Sequence, residues 1–335
     1  MNVKILTAES FQEIGGKVFF GKNEGTIPMT GELNPDIVAL ALSKILGVPY
    51  VPMESDYENS AKSAVASMAP SRELAFCPGC PHRASFWSIH KALQMDNRDG
   101  FVCGDIGCYG LGFLPTGFST VKIGHAMGSG LGLASGFGKL GGFGMDQPVI
   151  ALSGDSTFFH AVLPALVNAI HQESDVLLIV LDNSGTAMTG FQPHPGLPVD
   201  AMGGKAPSVD IGKVCEAMGA KVEIRDPFDL EDTRTTINRL LEDKGAKVLI
   251  LRQICALSPE KKGKKRFDMR VDESRCIGEQ CSCNRLCTRI FRCPGLIWDT
   301  INKKSRIDDA ICVRCGVCAD VCSHKAIIRE ETARS

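Results

Sequence analysis

Val149-Ile150-Ala151-Leu152-Ser153-Gly154-Asp155-Ser156 and Val176-Leu177-Leu178-Ile179-Val180-Leu181-Asp182-Asn183 decide the fold. Each is an apolar, strand-like run that ends in a glycine or polar step carrying an oxygen ligand. The residues between them have helical character. The segment is thus one strand–turn–helix–strand unit, with Asp155 and Asn183 28 positions apart. In an open parallel sheet, ligands gather at the carboxyl ends of the strands. A hard cation such as magnesium takes oxygen ligands, usually one or two side chains plus substrate phosphates. The segment therefore reads as a magnesium–diphosphate cradle.

The chain around it has 335 residues, room for two domains. Apolar residues make up 44% and aromatic residues 6%, the composition of a soluble globular protein with a buried core. A formal net charge of −1 argues against a nucleic-acid partner held by bulk electrostatics. No apolar run has membrane-spanning length, and Met1-Asn2-Val3-Lys4-Ile5 opens no signal-peptide core. The expected setting is cytoplasmic, with no membrane partner. In a reducing compartment, 15 cysteines point to metal or redox sites rather than disulfides.

The expected fold class is α/β: a doubly wound parallel sheet followed by a small α+β domain of ferredoxin type. Residues 1–70 are a lead-in, in which Asn34 and Pro35 open a short helix with Ile37, Leu40, Ala41 and Ile45 at helical spacing. Residues 71–255 alternate strand-like and helical runs, ending in the strand Lys247 to Arg252. Glycines 128, 130, 132 and 136 are dense for a helix. They imply backbone packed either on a cofactor or tightly on the sheet. Residues 256–270, with Lys261-Lys262-Gly263-Lys264-Lys265-Arg266, read as a basic linker. Residues 271–335 hold too few apolar residues to fold without a metal staple.

Nine cysteines lie between Cys276 and Cys322. Cys312-x2-Cys315-x2-Cys318-x3-Cys322 has the bacterial ferredoxin spacing, whereas structural zinc uses two separated pairs. In two-cluster ferredoxins the fourth cysteine of each run ligates the other cluster. That rule gives one 4Fe–4S cluster Cys312, Cys315, Cys318 and Cys293. The other takes Cys322 with three of Cys276, Cys281, Cys283 and Cys287, leaving one spare. A single cluster with scattered thiols is the plainer alternative. Upstream, Cys77-Pro78-Gly79-Cys80 alone is structural, zinc-binding or redox-active, and Cys215 reads as a small buried apolar residue.

Gly154-Asp155-Ser156 with Asp182-Asn183 resembles the thiamine diphosphate motif. Three further stretches sharpen the likeness: Cys77-Pro78-Gly79-Cys80-Pro81-His82-Arg83, Gly104-Asp105-Ile106-Gly107-Cys108-Tyr109, and Thr186-Ala187-Met188-Thr189-Gly190-Phe191-Gln192-Pro193-His194-Pro195-Gly196. With the ferredoxin tail, residues 28–330 resemble the α subunits of indolepyruvate:ferredoxin oxidoreductases, within the thiamine diphosphate-dependent 2-oxoacid:ferredoxin oxidoreductases.

The resemblance implies that Asp155, Asn183 and the Gly185 carbonyl hold Mg2+ on the diphosphate, with Gly154, Ser156, Thr189 and Gly128 around the cofactor. It implies oxidative decarboxylation of a 2-oxo acid, of indolepyruvate or another aryl type. Coenzyme A takes the acyl group, and clusters pass electrons to a ferredoxin. It also implies a third 4Fe–4S cluster beside the cofactor on Cys77, Cys80, Cys108 and Cys255. His160 and His194 could face the substrate or the thiazolium, or be structural. His82 and His125 are weaker candidates.

The family's subunits carry a pyrimidine-clasping domain before this region, and only about 70 residues precede the first motif. A separate chain is expected to supply that domain, alongside a β-type subunit, in a heteromer. A non-oxidative 2-oxo acid decarboxylase explains the cradle but not the cysteines. A pure electron-transfer subunit explains the cysteines but not the cradle. A zinc-binding nucleic-acid module is disfavoured by spacing and charge.

Overall fold

A computed structural model describes residues 20–51, 55–69, 73–261, 264–281 and 284–331. Cys283, Lys262 and Gly263, and the first 19 residues of the lead-in, lie outside the described residues. The chain divides into two compact units, Met1–Arg72 and Glu73–Ser335.

The first unit holds helices α1 (Pro35–Leu46) and α2 (Ser55–Met68). Asn34 caps α1 as its sequence implies: its side chain accepts from the Ile37 N–H at 3.0 Å. Gly47, at φ 63, ends the helix in the left-handed region. Of the apolar positions on α1, Ala41 is buried, while Leu40 and Ile45 are exposed.

The second unit is built on a six-stranded, all-parallel sheet. Its elements in chain order are α3 (Pro81–Asp96), β1 (Phe101–Gly104), β2 (Ile123–Gly124), α4 (Ser129–Phe137), β3 (Val149–Gly154), α5 (Leu163–His171), β4 (Val176–Asp182), α6 (Ile211–Ala217), β5 (Lys221–Arg225), α7 (Leu230–Glu242) and β6 (Ala246–Arg252). The strand order is β2-β1-β3-β4-β6-β5. β3 and β4 are buried at every position, so they read as unbroken apolar runs without alternation. Ile150, Leu152, Leu177 and Ile179 pack with Phe86 and Ile89 of α3 and Ile237 and Leu240 of α7. Ala151, Leu178 and Val180 point the other way, onto Leu131 of α4, Leu166 of α5 and Ile211 and Cys215 of α6. Burial pushes the Cys103 and Cys215 thiols up to about 12, and both serve as small core residues.

The winding reverses between β1 and β3. Their carboxyl ends open the crevice where open α/β sheets bind ligands.

The cysteine-rich part follows. It contains two antiparallel pairs, β7 (Phe267–Val271) with β10 (Ile327–Glu331), and β8 (Leu296–Asp299) with β9 (Lys304–Ile307), and the short helix α8 (Val317–Val321). It shares an apolar cluster with the back of α3. Ala84 and Trp87 meet Met269, Phe291, Leu296, Ile307 and Val317. Trp87 makes an edge-on contact with Phe291 at 5.5 Å between ring centres. α3 is therefore clamped between the sheet and the cysteine-rich part, and every residue from Pro81 to Ile89 is buried. Among the described residues no helix is long and apolar enough to cross a membrane.

The α4 glycines separate into two kinds. A Cβ on Gly130 would stand 2.8 Å from the Leu152 carbonyl oxygen, so Gly130 is fixed by tight packing on the sheet. Gly132 and Gly136 have nothing within 4 Å of a Cβ. Gly130→Ala should therefore destabilise the unit by about 1–3 kcal/mol, as overpacking does. Gly132→Ala should stabilise it by up to about 1 kcal/mol through helix propensity. Thermal unfolding midpoints that move the same way for both would contradict this division.

Candidate functional site

Asp155 follows β3 directly and opens a helical turn, Asp155–Thr157, that passes through a wide π turn, Phe158–Val162, into α5. Its carboxylate is 3% exposed and fully engaged. Oδ1 accepts from the Ser156 N–H at 2.8 Å, and Oδ2 accepts from the Gly185 N–H at 3.0 Å. Gly185 is delivered by the turn after β4. Ser184 there adopts a left-handed φ of 60, and its N–H is held at 3.3 Å by Asp182 Oδ1. Asp182 is anchored in turn by Arg252 at the end of β6, Nε to Oδ2, 2.7 Å.

Asn183 completes a trio. One terminal atom of its amide lies 3.2 Å from Asp155 Oδ2 and 2.8 Å from the Gly185 carbonyl oxygen. Both neighbours are acceptors. With the amide nitrogen turned inward, Asn183 donates to both; with its oxygen inward, three oxygens converge and only a cation satisfies them. Carboxylate, amide and backbone carbonyl are the donor set that suits magnesium, with remaining positions left for phosphate oxygens and water. The trio thus fits the expected Mg2+ on its own chemistry. Among the described residues no group of three or more His, Cys, Asp or Glu side chains is placed to hold a single metal ion. The trio has only one such side chain.

His194 closes one side of the trio. Its Nδ1 accepts from the Gly196 N–H at 3.1 Å, so the proton of the neutral ring sits on Nε2. Nε2 is 3.2 Å from Asp155 Oδ2, but it is buried and out of line for a hydrogen bond. The ring stacks on Phe159 at 5.6 Å. Thr189 is not brought to the trio: its exposed hydroxyl donates to Gln192 at 2.6 Å and closes the Thr186–Gln192 loop.

The other wall of the crevice comes from β1, and here sequence reading missed two residues. Asp105, 1% exposed, is the counterpart of Asp155 on the neighbouring strand. Oδ1 accepts from the Tyr109 hydroxyl, and Oδ2 accepts from the Gly128 N–H at 2.9 Å. Gly128 caps the start of α4 with a φ of 83, and a Cβ there would collide with Ala161. Burial raises the Asp105 pKa, opposed by Tyr109, by the Gly128 and Gly130 N–H groups and by the charge of His160. His160 is exposed in the π turn; His125 is exposed near the start of α4. Tyr109 also bears on Gly154, where a Cβ would stand 3.0 Å from its ring. A buried carboxylate two residues from a cysteine within a glycine-rich stretch was the available signal. His82 stands edge-on to Tyr109 at 6.3 Å.

The cysteines gather in three places. Cys77, Cys80, Cys108 and Cys255 act on one another electrostatically, and burial raises the thiols of Cys80, Cys108 and Cys255, Cys80 to about 12. Cys255 is tied to the cradle, because its N–H donates to the Asn183 carbonyl at 3.0 Å. Cys293, Cys312, Cys315 and Cys318 line a small, largely apolar cavity, with Cys80 and Arg83 also in its wall. Cys276, Cys281, Cys287 and Cys322 line a second, similar cavity. A cubane spreads four thiolates around a core, whereas one ion draws them together. Four cysteines on the wall of a void fit the former.

The thiamine pyrophosphate enzyme C-terminal TPP binding domain matches residues 105–251, from the Asp105 carboxylate to the end of β6. Indolepyruvate oxidoreductase subunit IorA of Methanothermobacter thermautotrophicus is 38% identical over 312 residues, 92% of this chain and 47% of its own. The Pyrococcus horikoshii subunit of the same name is 38% identical over 88% of this chain and 46% of its own. The Archaeoglobus fulgidus one is 35% identical over 92% and 48%. Over the stretch they share, this chain is similar to these IorA subunits. The chain spans about half the length of these curated relatives. The match to a thiamine pyrophosphate-binding domain thus spans the α/β sheet from the end of β1, and its boundaries enclose both walls of the crevice.

One consequence concerns His82, which is buried against this site. Burial lowers its pKa to about 4, partly offset by the negative charge of Asp155. An unfolded histidine titrates near 6.5, so between those values the unfolded chain binds the extra proton. The contribution of His82 to stability is complete above about pH 6.5 and is lost as pH falls toward 4. In an NMR titration of the folded protein, the His82 ring resonances should stay those of a neutral imidazole from pH 7.5 to 5.5. A midpoint near 6.5 would contradict its burial.

Proposed function

We propose that this chain is the diphosphate-binding, electron-conducting part of a 2-oxoacid:ferredoxin oxidoreductase of the indolepyruvate or aryl-2-oxoacid type. The observation that carries the reading is the oxygen trio of Asp155, Asn183 and Gly185 at the sheet's reversal, hydrogen-bonded through Asn183 to Cys255. A decarboxylase needs such a cradle, but it gives no use to four cysteines next to it and eight more lining two cavities. A β-type subunit, a ferredoxin and coenzyme A are proposed to complete the reaction.

When bound, thiamine diphosphate supplies the electron sink for decarboxylating a 2-oxo acid, and 4Fe–4S clusters accept electrons singly. The chain's own residues do the rest. Asp155, Asn183 and the Gly185 carbonyl hold Mg2+ and through it the diphosphate, with Gly154 and Ser156 at the turn. Asp105 fixes the Gly128 N–H at the start of α4, so the backbone of that helix is set before the cofactor arrives. His194, with its Nε2 proton beside Asp155, orients the cradle from the loop side. Phe159 stacks on the His194 ring and holds it in place. His160, exposed above Asp105, is the residue proposed to meet the substrate carboxylate.

The cavities support one assignment of the cysteines. Cys293, Cys312, Cys315 and Cys318 take one cluster. Cys322 takes the second with three of Cys276, Cys281, Cys283 and Cys287, of which Cys276, Cys281 and Cys287 line the second cavity. Cys77, Cys80, Cys108 and Cys255 take the third, beside the cofactor.

Iron and sulfide analysis of the anaerobic complex should give about twelve of each per chain, and about eight would remove the third cluster. Cys322→Ser should lose about four irons, and of the serine variants at Cys276, Cys281, Cys283 and Cys287 only one should keep the full count. Asp155→Asn should weaken magnesium-dependent thiamine diphosphate binding by more than the roughly 10–100-fold that loss of a supporting residue costs at a metal site. The reading as a whole is tested by anaerobic dye reduction against a panel of 2-oxo acids, with and without coenzyme A. Aldehyde formation without dye reduction would replace it with a decarboxylase.

A further inference from the structure

Arg83 is 2% exposed, in the first turn of α3, and it stands between two of the cysteine groups. Its Nη1 donates to the Phe291 and Arg292 carbonyls at 2.9 and 3.0 Å, and its Nη2 donates to the Phe76 carbonyl. The guanidinium lies between the Phe76 and Phe291 rings, 5.7 and 5.9 Å from their centres. These contacts fix the plane of the fork, yet all the acceptors are neutral. The Nε–H is buried without a partner. The side chain lines the cavity of Cys293, Cys312, Cys315 and Cys318.

Burial lowers the Arg83 pKa, and the groups that oppose this are thiols: Cys293 first, then Cys80, Cys77 and Cys315. An arginine nonetheless stays charged in a protein. A cation buried among neutral acceptors is costly unless an anion faces it. A cubane held by four thiolates is such an anion, and its inorganic sulfides and thiolates accept N–H donors. The cluster's potential depends on nearby charge and on hydrogen bonds to its sulfurs.

We propose that Arg83 sets the reduction potential of the cluster held by Cys293, Cys312, Cys315 and Cys318, raising it through its fixed positive charge and its Nε–H. This rests on the cluster assignment made above. The cation stabilises the reduced cluster, which carries one more negative charge. An electron leaving the Cys77, Cys80, Cys108 and Cys255 group is thereby drawn toward the tail. The structural role of Arg83, tying α3 to Phe291 and Arg292, is separate and would be served by any donor that reached those carbonyls.

The test uses the full chain with its clusters loaded anaerobically, comparing wild type, Arg83→Gln and Arg83→Lys by EPR-monitored redox titration. Arg83→Gln should shift one cluster's reduction equilibrium at least tenfold toward the oxidised form, about 59 mV for one electron. Arg83→Lys, which keeps the charge, should stay within threefold of wild type. If Arg83→Gln fails to load iron, a loaded Arg83→Lys with near-wild-type potential still supports the need for charge. Equal shifts in the two variants, unchanged midpoints in a fully loaded Arg83→Gln, or loss of iron from both would overturn the proposal. A wild-type chain that takes up no iron would instead overturn the cluster assignment.

Discussion

Two buried carboxylates leave adjacent parallel strands at the point where the sheet's winding reverses, and the rest of the site depends on how they are satisfied. A buried carboxylate must be hydrogen-bonded or bound to a cation, because desolvation otherwise costs more than folding can offset. Asp105 solves this with the Tyr109 hydroxyl and the N–H of Gly128, the cap residue of α4. Asp155 solves it with two backbone N–H groups and leaves Oδ2 turned toward Asn183 and the Gly185 carbonyl. The first arrangement consumes the charge within the protein. The second leaves two acceptors, Asp155 Oδ2 and the Gly185 carbonyl, facing one end of the Asn183 amide. That difference leaves the β3 side of the crevice open to a donor or a cation and makes the β1 side a scaffold.

The scaffold reaches outward through α3. One face of this helix packs under the sheet through Phe86 and Ile89; the other supplies Ala84 and Trp87 to the apolar cluster of the cysteine-rich part. A small, loop-rich segment with few apolar residues of its own acquires part of a core by this sharing. The same contact brings the Cys77–Cys80 turn against the loop after Cys312. A Cβ on Gly79 would collide with Val313, and the left-handed φ of 65 at Gly79 excludes most side chains independently. Close approach of the two cysteine groups is thus set by a glycine and a helix that are both already committed to packing.

The sequence was legible where one physical demand acted on consecutive residues. β3 and β4 are buried on both faces, so their apolar runs are unbroken, and the ligands at their ends follow from the parallel sheet. Asn34 before Pro35 capped its helix as written. It was illegible where the demand was met across the fold. Asp105 sits in a motif that was visible, but its tie to Gly128, 23 residues later, exists only in three dimensions. Arg83 reads as one more cation beside a Cys-Pro-Gly-Cys turn, and its partners at Phe291 and Arg292 lie more than 200 residues on. The glycines of α4 looked alike in sequence, yet Gly130 is pressed on a strand carbonyl while Gly132 and Gly136 face open space.

The connections run in one direction from the cradle. The Asn183 carbonyl takes the Cys255 N–H, so the residue proposed to turn toward magnesium is one backbone hydrogen bond away from a cysteine of the nearest group. Cys255 and Cys77 act on one another, and Cys80 stands in the wall of the next cavity beside Arg83. Nothing in the chemistry of a diphosphate site requires a cysteine hydrogen-bonded to its ligand turn, and nothing in ferredoxin-type packing requires a buried arginine in the wall of a cysteine cavity. Both features acquire a common reason if electrons leave the cradle toward the tail. In that case the protein's task beyond holding the cofactor is to keep successive acceptors rigidly adjacent, and α3, buried all round its first two turns, is the element that does so.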